Sequence, residues 1–282
     1  AEVGRDVTEW KQGDRVTFDS TIYCGECWYC RRGEINLCDR RRVLGVSCDD
    51  YRQHGAFADH VAVPERILYR LPDDISYEQA SMVEALSIAV HAVEISPLCL
   101  NDVAVVLGSG MIGLLVVQVL QTAGCGTIIA VDIDSRKLNL AQKLGADTAL
   151  NSDECSVPEE VKKLTGGRGA DLAFEVVGIT ETVKAGVESL RKGGHLTLVG
   201  NLSPSVEFRL QSVVTRQIEV RGSCASCGEY PTCLDLIAKN RVDVDPLISA
   251  IAPLHEGGLW FQRLYEKEQD LMKVILKPQE KA

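Results

Sequence analysis

The sequence has no excess of positive charge: 30 lysines and arginines stand against 40 aspartates and glutamates, for a net charge of −10. At a pI of about 5.1 it lacks the basic face that displaces counterions from phosphate, which excludes a general nucleic-acid binder. No charged n-region followed by an apolar h-region opens it, so no secretory signal is read and a cytoplasmic protein is expected. Uninterrupted hydrophobic runs are missing too. The most apolar stretch, residues 103–120, is broken by Gly108-Ser109-Gly110 into a strand-like half and a helix-like half, so no membrane partner is expected. Internal repeats and low-complexity tracts are absent. Histidines number only 5, and His54, His60, His195 and His255, without partners in ligand spacing, read as structural.

What remains is ordinary globular material of 282 residues, 45% hydrophobic and 25% charged, with a mean hydropathy of +0.01. That length suggests about two domains. Up to about residue 85 the text is rich in turns and short strands, at 15–18, 57–63 and 67–70, which reads as β-barrel material with a cysteine lobe inserted. A helix is predicted over 76–94. From residue 102 the rhythm changes. Strands are predicted at 103–107, 127–132, 147–150, 171–176, 195–199 and 218–221, with helices at 111–123, 135–144 and 156–164 between them. The last of these has Ser156 as N-cap and Pro158 in its first turn. Apolar strands alternating with amphipathic helices predict an α/β fold, a doubly wound parallel sheet of six strands covered on both faces. A final strand is expected at 273–276.

Eleven cysteines are present, and four of them, Cys24, Cys27, Cys30 and Cys38, have gaps of two, two and seven residues. In a cytosolic chain such bunching points to metal more than to cystine. Four thiolates within fifteen residues can surround one tetrahedral zinc, with no open position, so the metal would be structural. The same set could hold an iron–sulfur cluster. Arg31, Arg32 and Arg40 lie beside the ligands and could offset the net −2 charge of a four-thiolate zinc. Cys224, Cys227 and Cys233 lack a fourth nearby ligand and read as buried filler. The run Arg40-Arg41-Arg42 reads as a solvated face.

Gly108-Ser109-Gly110-Met111-Ile112-Gly113 is a GxGxxG loop placed between a predicted strand and a predicted helix. Gly108 would make the tight turn, Gly110 would admit a pyrophosphate, and Gly113 would let helix and strand pack closely. The helix N-terminus supplies free N–H groups to phosphates. Asp132, nineteen residues after Gly113, ends the second strand. A carboxylate there accepts from both ribose hydroxyls and repels a 2′-phosphate, which favours NAD over NADP. The candidate cofactor-binding residues are therefore Gly108, Gly110, Met111, Ile112, Gly113, Asp132 and Arg136.

Together these features resemble the zinc-containing medium-chain dehydrogenase/reductase family, in its polyol (sorbitol, L-iditol) dehydrogenase branch. The likeness runs from residue 1 to Pro278. Besides the cysteine lobe and the glycine loop it is carried by Gly55-Ala56-Phe57-Ala58-Asp59-His60-Val61 leading to Pro64, and by Glu84-Ala85-Leu86-Ser87 leading to His91-Ala92. Asp171-Leu172-Ala173-Phe174-Glu175 with Gly178, and Lys273-Val274-Ile275-Leu276-Lys277-Pro278, complete it. The resemblance implies a discontinuous GroES-like catalytic domain at 1–86 and 226–282, and a Rossmann NAD-binding domain at 87–225. It implies a homo-oligomer, dimer or tetramer. It also implies hydride transfer from a secondary alcohol of a polyol or sugar derivative to NAD, on a second, catalytic zinc in the interdomain cleft.

Glu84 matches the family's acidic residue at that zinc, although a carboxylate in a first helical turn is also favoured by the dipole. The proline that follows it in the family is Ala85 here. The family carries its other catalytic-zinc ligands, a cysteine and a Gly-His-Glu motif, in a segment before the stretch matching Ala1-Glu2-Val3-Gly4. This sequence starts just past them, so it is read as either a fragment or a protein that has lost its catalytic metal site. The mid-domain start favours a fragment, and binding of NAD without turnover is expected. A phosphorylated-polyol dehydrogenase of the galactitol-phosphate type, or a threonine dehydrogenase, is the alternative enzyme. A non-catalytic, zinc-stabilised dinucleotide-binding protein is the alternative of another class.

Overall fold

The computed structural model describes residues 1–46 and 49–278. The chain forms two compact units. One comprises Ala1–Glu84, Ser226–Asn240 and the chain from Val244 on; the other comprises Ala85–Ala225 with Arg241–Asp243.

The first unit begins with β1 (Val16–Phe18), β2 (Thr21–Ile22), α1 (Trp28–Arg31), β3 (Arg42–Leu44), β4 (Arg52–Gln53), β5 (Leu68–Arg70) and α2 (Tyr77–Ala80). β1 pairs antiparallel with β5, setting Thr17 opposite Tyr69. β2, β3 and β4 form a small separate sheet. Arg15 fastens the stretch after β5 by donating to the carbonyls of Pro72 (2.8 Å) and Ile75 (2.6 Å). The strand expected at 57–63 does not form: Ala58 N–H closes a tight turn on the Ala56 carbonyl at 2.8 Å, and the Phe57 ring packs edge-on against Phe261 at 5.3 Å. The helix expected over 76–94 is two helices. Ser76 and Gln79 close a reciprocal capping box on α2, then Ser81 Oγ donates to the Glu78 carbonyl at 2.7 Å and the chain restarts as α3 (Val83–Glu94). A side-chain bond of that kind competes with helix continuation.

The second unit alternates strand and helix: β6 (Val103–Leu107), α4 (Met111–Thr122), β7 (Thr127–Asp132), α5 (Ser135–Lys143), β8 (Thr148–Asn151), α6 (Val157–Leu164), β9 (Ala170–Glu175), α7 (Thr180–Ser189), β10 (Leu190–Leu198), α8 (Leu210–Arg216) and β11 (Glu219–Gly222). The six strands form one parallel sheet in the order β11-β10-β9-β6-β7-β8. Helices cover it, so the central strands are buried: all six residues of β9 are, with apolar Leu172, Ala173 and Phe174 between the carboxylates Asp171 and Glu175. Val105, Ile129, Ala173, Val183 and Leu196 belong to one buried cluster, each large aliphatic member stabilising by about 1.5–3 kcal/mol. α4 buries Leu114, Leu115, Val116, Val117 and Leu120. Ser156 occupies the N-cap of α6, but its side chain makes no capping bond.

The amino-terminal ends of the central strands are tied by one carboxylate. Asp171 accepts from Arg191 Nε (2.6 Å), from Arg168 Nη1 and Nη2 (3.0 Å each) and from the Val103 N–H (2.9 Å).

The first unit is completed by α9 (Tyr230–Ala238), β12 (Ile248–Pro253), α10 (Gly257–Tyr265) and β13 (Lys273–Lys277), with β12 and β13 parallel. Tyr230 is fully buried and stacks on Tyr69 at 4.9 Å, which joins the late segment to β5. Burial pushes its phenol upward, and the Asp19 carboxylate adds to the shift. Among the described residues no helix is long and apolar enough to cross a membrane.

Candidate functional site

The glycine loop leaves β6 and enters α4 as its spacing predicts. Gly108 has φ +104°, and a Cβ there would lie 2.6 Å from Val177 Cγ2. A Cβ on Gly113 would lie 1.9 Å from the Gly108 carbonyl oxygen, so the first turn of α4 packs backbone to backbone on the loop. Gly110 differs from both: among the described residues, its chain neighbours apart, nothing lies within 4 Å of where its Cβ would be. It is the N-cap of α4 without a side chain to satisfy the helix's free N–H groups, which leaves them for an anion. Met111 and Ile112 form the first residues of that helix.

Asp132 ends β7 beside this loop. One oxygen accepts the Ser109 N–H at 2.7 Å, and the other accepts the Asp134 N–H at 2.9 Å. The carboxylate is thereby fixed at the strand's carboxyl end while keeping lone pairs for further donors. Arg136 is engaged locally, its guanidinium on the Asp134 carboxylate at 2.9–3.1 Å. Arg136, by donation first and charge second, lowers the Asp134 carboxyl below its usual range.

A further carboxylate reaches the same end of the sheet. Glu175, the last residue of β9, is fully buried. Its Oε1 accepts from the N–H of Val177 (2.9 Å), the N–H of Gly178 (2.8 Å) and Thr182 Oγ1 (2.7 Å). In the sequence Glu175 stands out only as part of the family stretch Asp171–Glu175. Nothing in its local spacing marks it out, because Thr182 lies seven residues on and reaches it only once α7 has formed.

In the first unit the Sγ atoms of Cys24, Cys27, Cys30 and Cys38 all lie within 4.8 Å of one another. Backbone N–H groups turn inward on the sulfurs: Cys27 N to Cys24 Sγ and Arg40 N to Cys38 Sγ, each 3.3 Å. Donation from Glu26 N–H, then Cys27 N–H, holds the Cys24 thiol down to about 6. Thiolate-stabilising amides around a four-sulfur cage suit one tetrahedral zinc. Arg40 lies among the neighbours as expected, bonded to Glu26 and drawn to Cys24. Arg32 turns away, stacking over Trp28 at 4.5 Å and bonding Glu34 at 3.3 Å. Arg31 is exposed. Cys233 is buried and Cys227 Sγ donates to the Gly33 carbonyl at 3.1 Å; neither joins a cluster among the described residues. Of the histidines, His54, His60 and His255 are exposed, and His195 Nδ1 faces Glu219 Oε2 at 3.1 Å.

Glu84 opens α3 in its first turn. It presents an exposed edge, yet dense surroundings raise its carboxyl, opposed by Lys273 and assisted by Asp19. Among the described residues it is not gathered with two further His, Cys, Asp or Glu side chains. Catalytic zinc takes three protein ligands and an open position, so the described residues do not make that second site.

A parallel six-stranded dinucleotide-type sheet, a unit of short barrel strands and a four-cysteine cage define the class: zinc-type dehydrogenases built on GroES-like and Rossmann folds. The chain belongs to the zinc-binding medium-chain dehydrogenase family. Residues 1–73 match the alcohol dehydrogenase GroES-like domain, and residues 112–239 match the zinc-binding dehydrogenase domain. The D-arabitol-phosphate dehydrogenase of Enterococcus avium is 34% identical over 99% of this chain and 79% of its own length. The sorbitol dehydrogenase of Bacillus subtilis is 29% identical over 99% of this chain and 78% of its own. An alcohol dehydrogenase from Escherichia coli CFT073, solved with NADH, superposes with a TM-score of 0.89 at 25% identity, covering 98% of this chain and 80% of that one. A protein from Sinorhizobium meliloti 1021, solved with NADP, gives 0.83 at 28% identity, covering 91% and 75%.

Proposed function

We propose that the second unit binds NAD and that the family chemistry here is oxidation of a secondary alcohol in a polyol or sugar derivative. The observation that carries the coenzyme reading is the pairing of an open glycine N-cap at Gly110 with a fixed carboxylate at Asp132. The free N–H groups at the start of α4 take the pyrophosphate. Gly108 and Gly113 hold that helix end against the strand. Asp132 accepts from the ribose hydroxyls and repels a 2′-phosphate. Bound NAD supplies the hydride acceptor.

Cys24, Cys27, Cys30 and Cys38 hold a structural zinc that stiffens the lobe. Four sulfurs fill its tetrahedron and leave no position for substrate. Glu84 is the candidate contact at the reacting end, and the described residues supply it with no companion ligands, so no step is derived through a metal there. That same observation favours a second reading for the 282-residue chain: coenzyme and structural zinc are bound while polyols are not turned over.

One experiment addresses both readings. The chain is titrated with NADH and then assayed for NADH production with NAD over a panel of free and phosphorylated polyols. Binding of NADH without turnover is expected. Failure to bind removes the coenzyme reading; robust turnover overturns the second reading and leaves polyol oxidation by this chain.

A further inference from the structure

We propose that Glu175 is a positioning residue for the nicotinamide half of the coenzyme. The inference rests on the NAD reading of the second unit. In a doubly wound sheet the dinucleotide lies outside the carboxyl ends of the strands, across the point where strand order reverses. Here that point falls between β6 and β9, because β7 and β8 extend the sheet on one side and β10 and β11 on the other. Gly108, Gly110 and Asp132 account for the β6–β7 half. The β9–β10 half has no comparable phosphate loop, and its rim is built from backbone.

Glu175 sets that rim. Three donors converge on Oε1: the N–H groups of Val177 and Gly178, and the hydroxyl of Thr182 in the first turn of α7. The Glu175 carbonyl meanwhile accepts the N–H groups of Val199 (2.8 Å) and Gly200 (3.0 Å) at the exit of β10. The two exits touch without side chains between them. A Cβ on Gly200 would lie 2.2 Å from Gly178 N, and Ser203 N–H bonds the Gly178 carbonyl at 2.9 Å. On its other side the turn reaches the glycine loop, where Val177 Cγ2 lies 2.6 Å from the Cβ position of Gly108. One residue thus fixes the β9 exit, the β10 exit and the start of α7.

The carboxylate carries a cost that packing does not explain. Among the described residues Oε2 is buried with no hydrogen-bond partner, and buried polar atoms are almost always satisfied. An apolar residue would avoid that cost in a strand whose other buried members include Leu172, Ala173 and Phe174. What it would lose is the acceptor for two consecutive N–H groups, and with it the shape of the rim against which the nicotinamide end must lie. Glu175 itself is sealed from solvent, so it acts through the backbone.

The test compares ligands that share the adenosine half. NADH and ADP-ribose are titrated into the full chain and into Glu175→Ala, Glu175→Gln and Thr182→Val. Glu175→Ala is expected to weaken NADH about tenfold and leave ADP-ribose unchanged. Glutamine keeps the acceptor oxygen and is expected to restore NADH binding. Thr182→Val, which removes one donor only, gives a smaller loss confined to NADH and serves if the alanine variant does not fold. Equal NADH binding by the alanine or valine variant and the parent overturns the proposal. So does parallel loss of both ligands, which marks a merely structural residue, and so does a glutamine variant no better than alanine. If the parent chain binds neither ligand, the coenzyme reading itself falls. If it binds ADP-ribose and the variants show no selective loss, only the role of Glu175 falls.

Discussion

Gly113 and Gly108 touch through their backbones: a Cβ on Gly113 would stand 1.9 Å from the Gly108 carbonyl oxygen. Neither partner can yield cheaply, because the contact is with main chain that also forms the loop's turn. Gly113→Ala is therefore expected to push α4 off β6. The stability loss should be about 1–3 kcal/mol, the range for overpacking, with NADH affinity falling alongside. Urea unfolding and an NADH titration of the same preparation check both effects. Unaltered stability would mean that the helix end is looser than this contact requires.

Removal of one thiolate tests the lobe. Cys27→Ser should release zinc and disorder the residues around α1, since structural zinc binding contributes about 10–16 kcal/mol in small zinc-finger peptides. Metal analysis of fresh protein should give one zinc per parent chain and none in the variant. Iron in the parent would favour the cluster alternative.

Replacing Asp132 by glycine should weaken NADH and narrow the gap to NADPH, because the ribose acceptor and the repulsion of a 2′-phosphate disappear together. The Ser109 and Asp134 N–H groups also lose their acceptor, so part of the loss will appear as a looser glycine loop. Asp132→Asn keeps acceptor capacity without the charge. It should narrow the gap while leaving the loop firmer, as comparison of NADH and NADPH dissociation constants across the pair will show.

Acid sensitivity should centre on Asp171. Burial works against its charge, but Arg191, the Val103 N–H and Arg168 prevail and hold its carboxyl below the usual range. A depressed folded value contributes stability that is present above the unfolded value, about 3.9, and is lost as pH falls through the folded one. Unfolding free energies measured downward from pH ~5 should therefore decline, and Asp171→Asn should flatten the decline. The exposed pairs Arg263–Glu268 and Lys163–Glu160 are screened and should contribute little.

The Rossmann unit was legible because its signals are local. Apolar runs such as Thr127–Asp132 are buried strands wherever helices cover both faces, and the glycine spacing carries its own steric reason. The barrel unit was less so. Its strands are two or three residues long in β2, β4 and β5, and partners distant in sequence decide which short apolar stretch becomes one. Residues 57–63 alternate like a strand, yet Phe57 is drawn to Phe261 instead. Glu175 was visible as a residue type but not as a site. Its three donors meet at one oxygen only after β9 turns into α7.

If Asp132 selects the coenzyme of the second unit, NADH must bind it more tightly than NADPH. Calorimetric titration of NADH and NADPH into the 282-residue chain tests it most directly. One NADH bound per chain, with NADPH weaker, is expected; preference for NADPH, or no binding of either, overturns selection by Asp132.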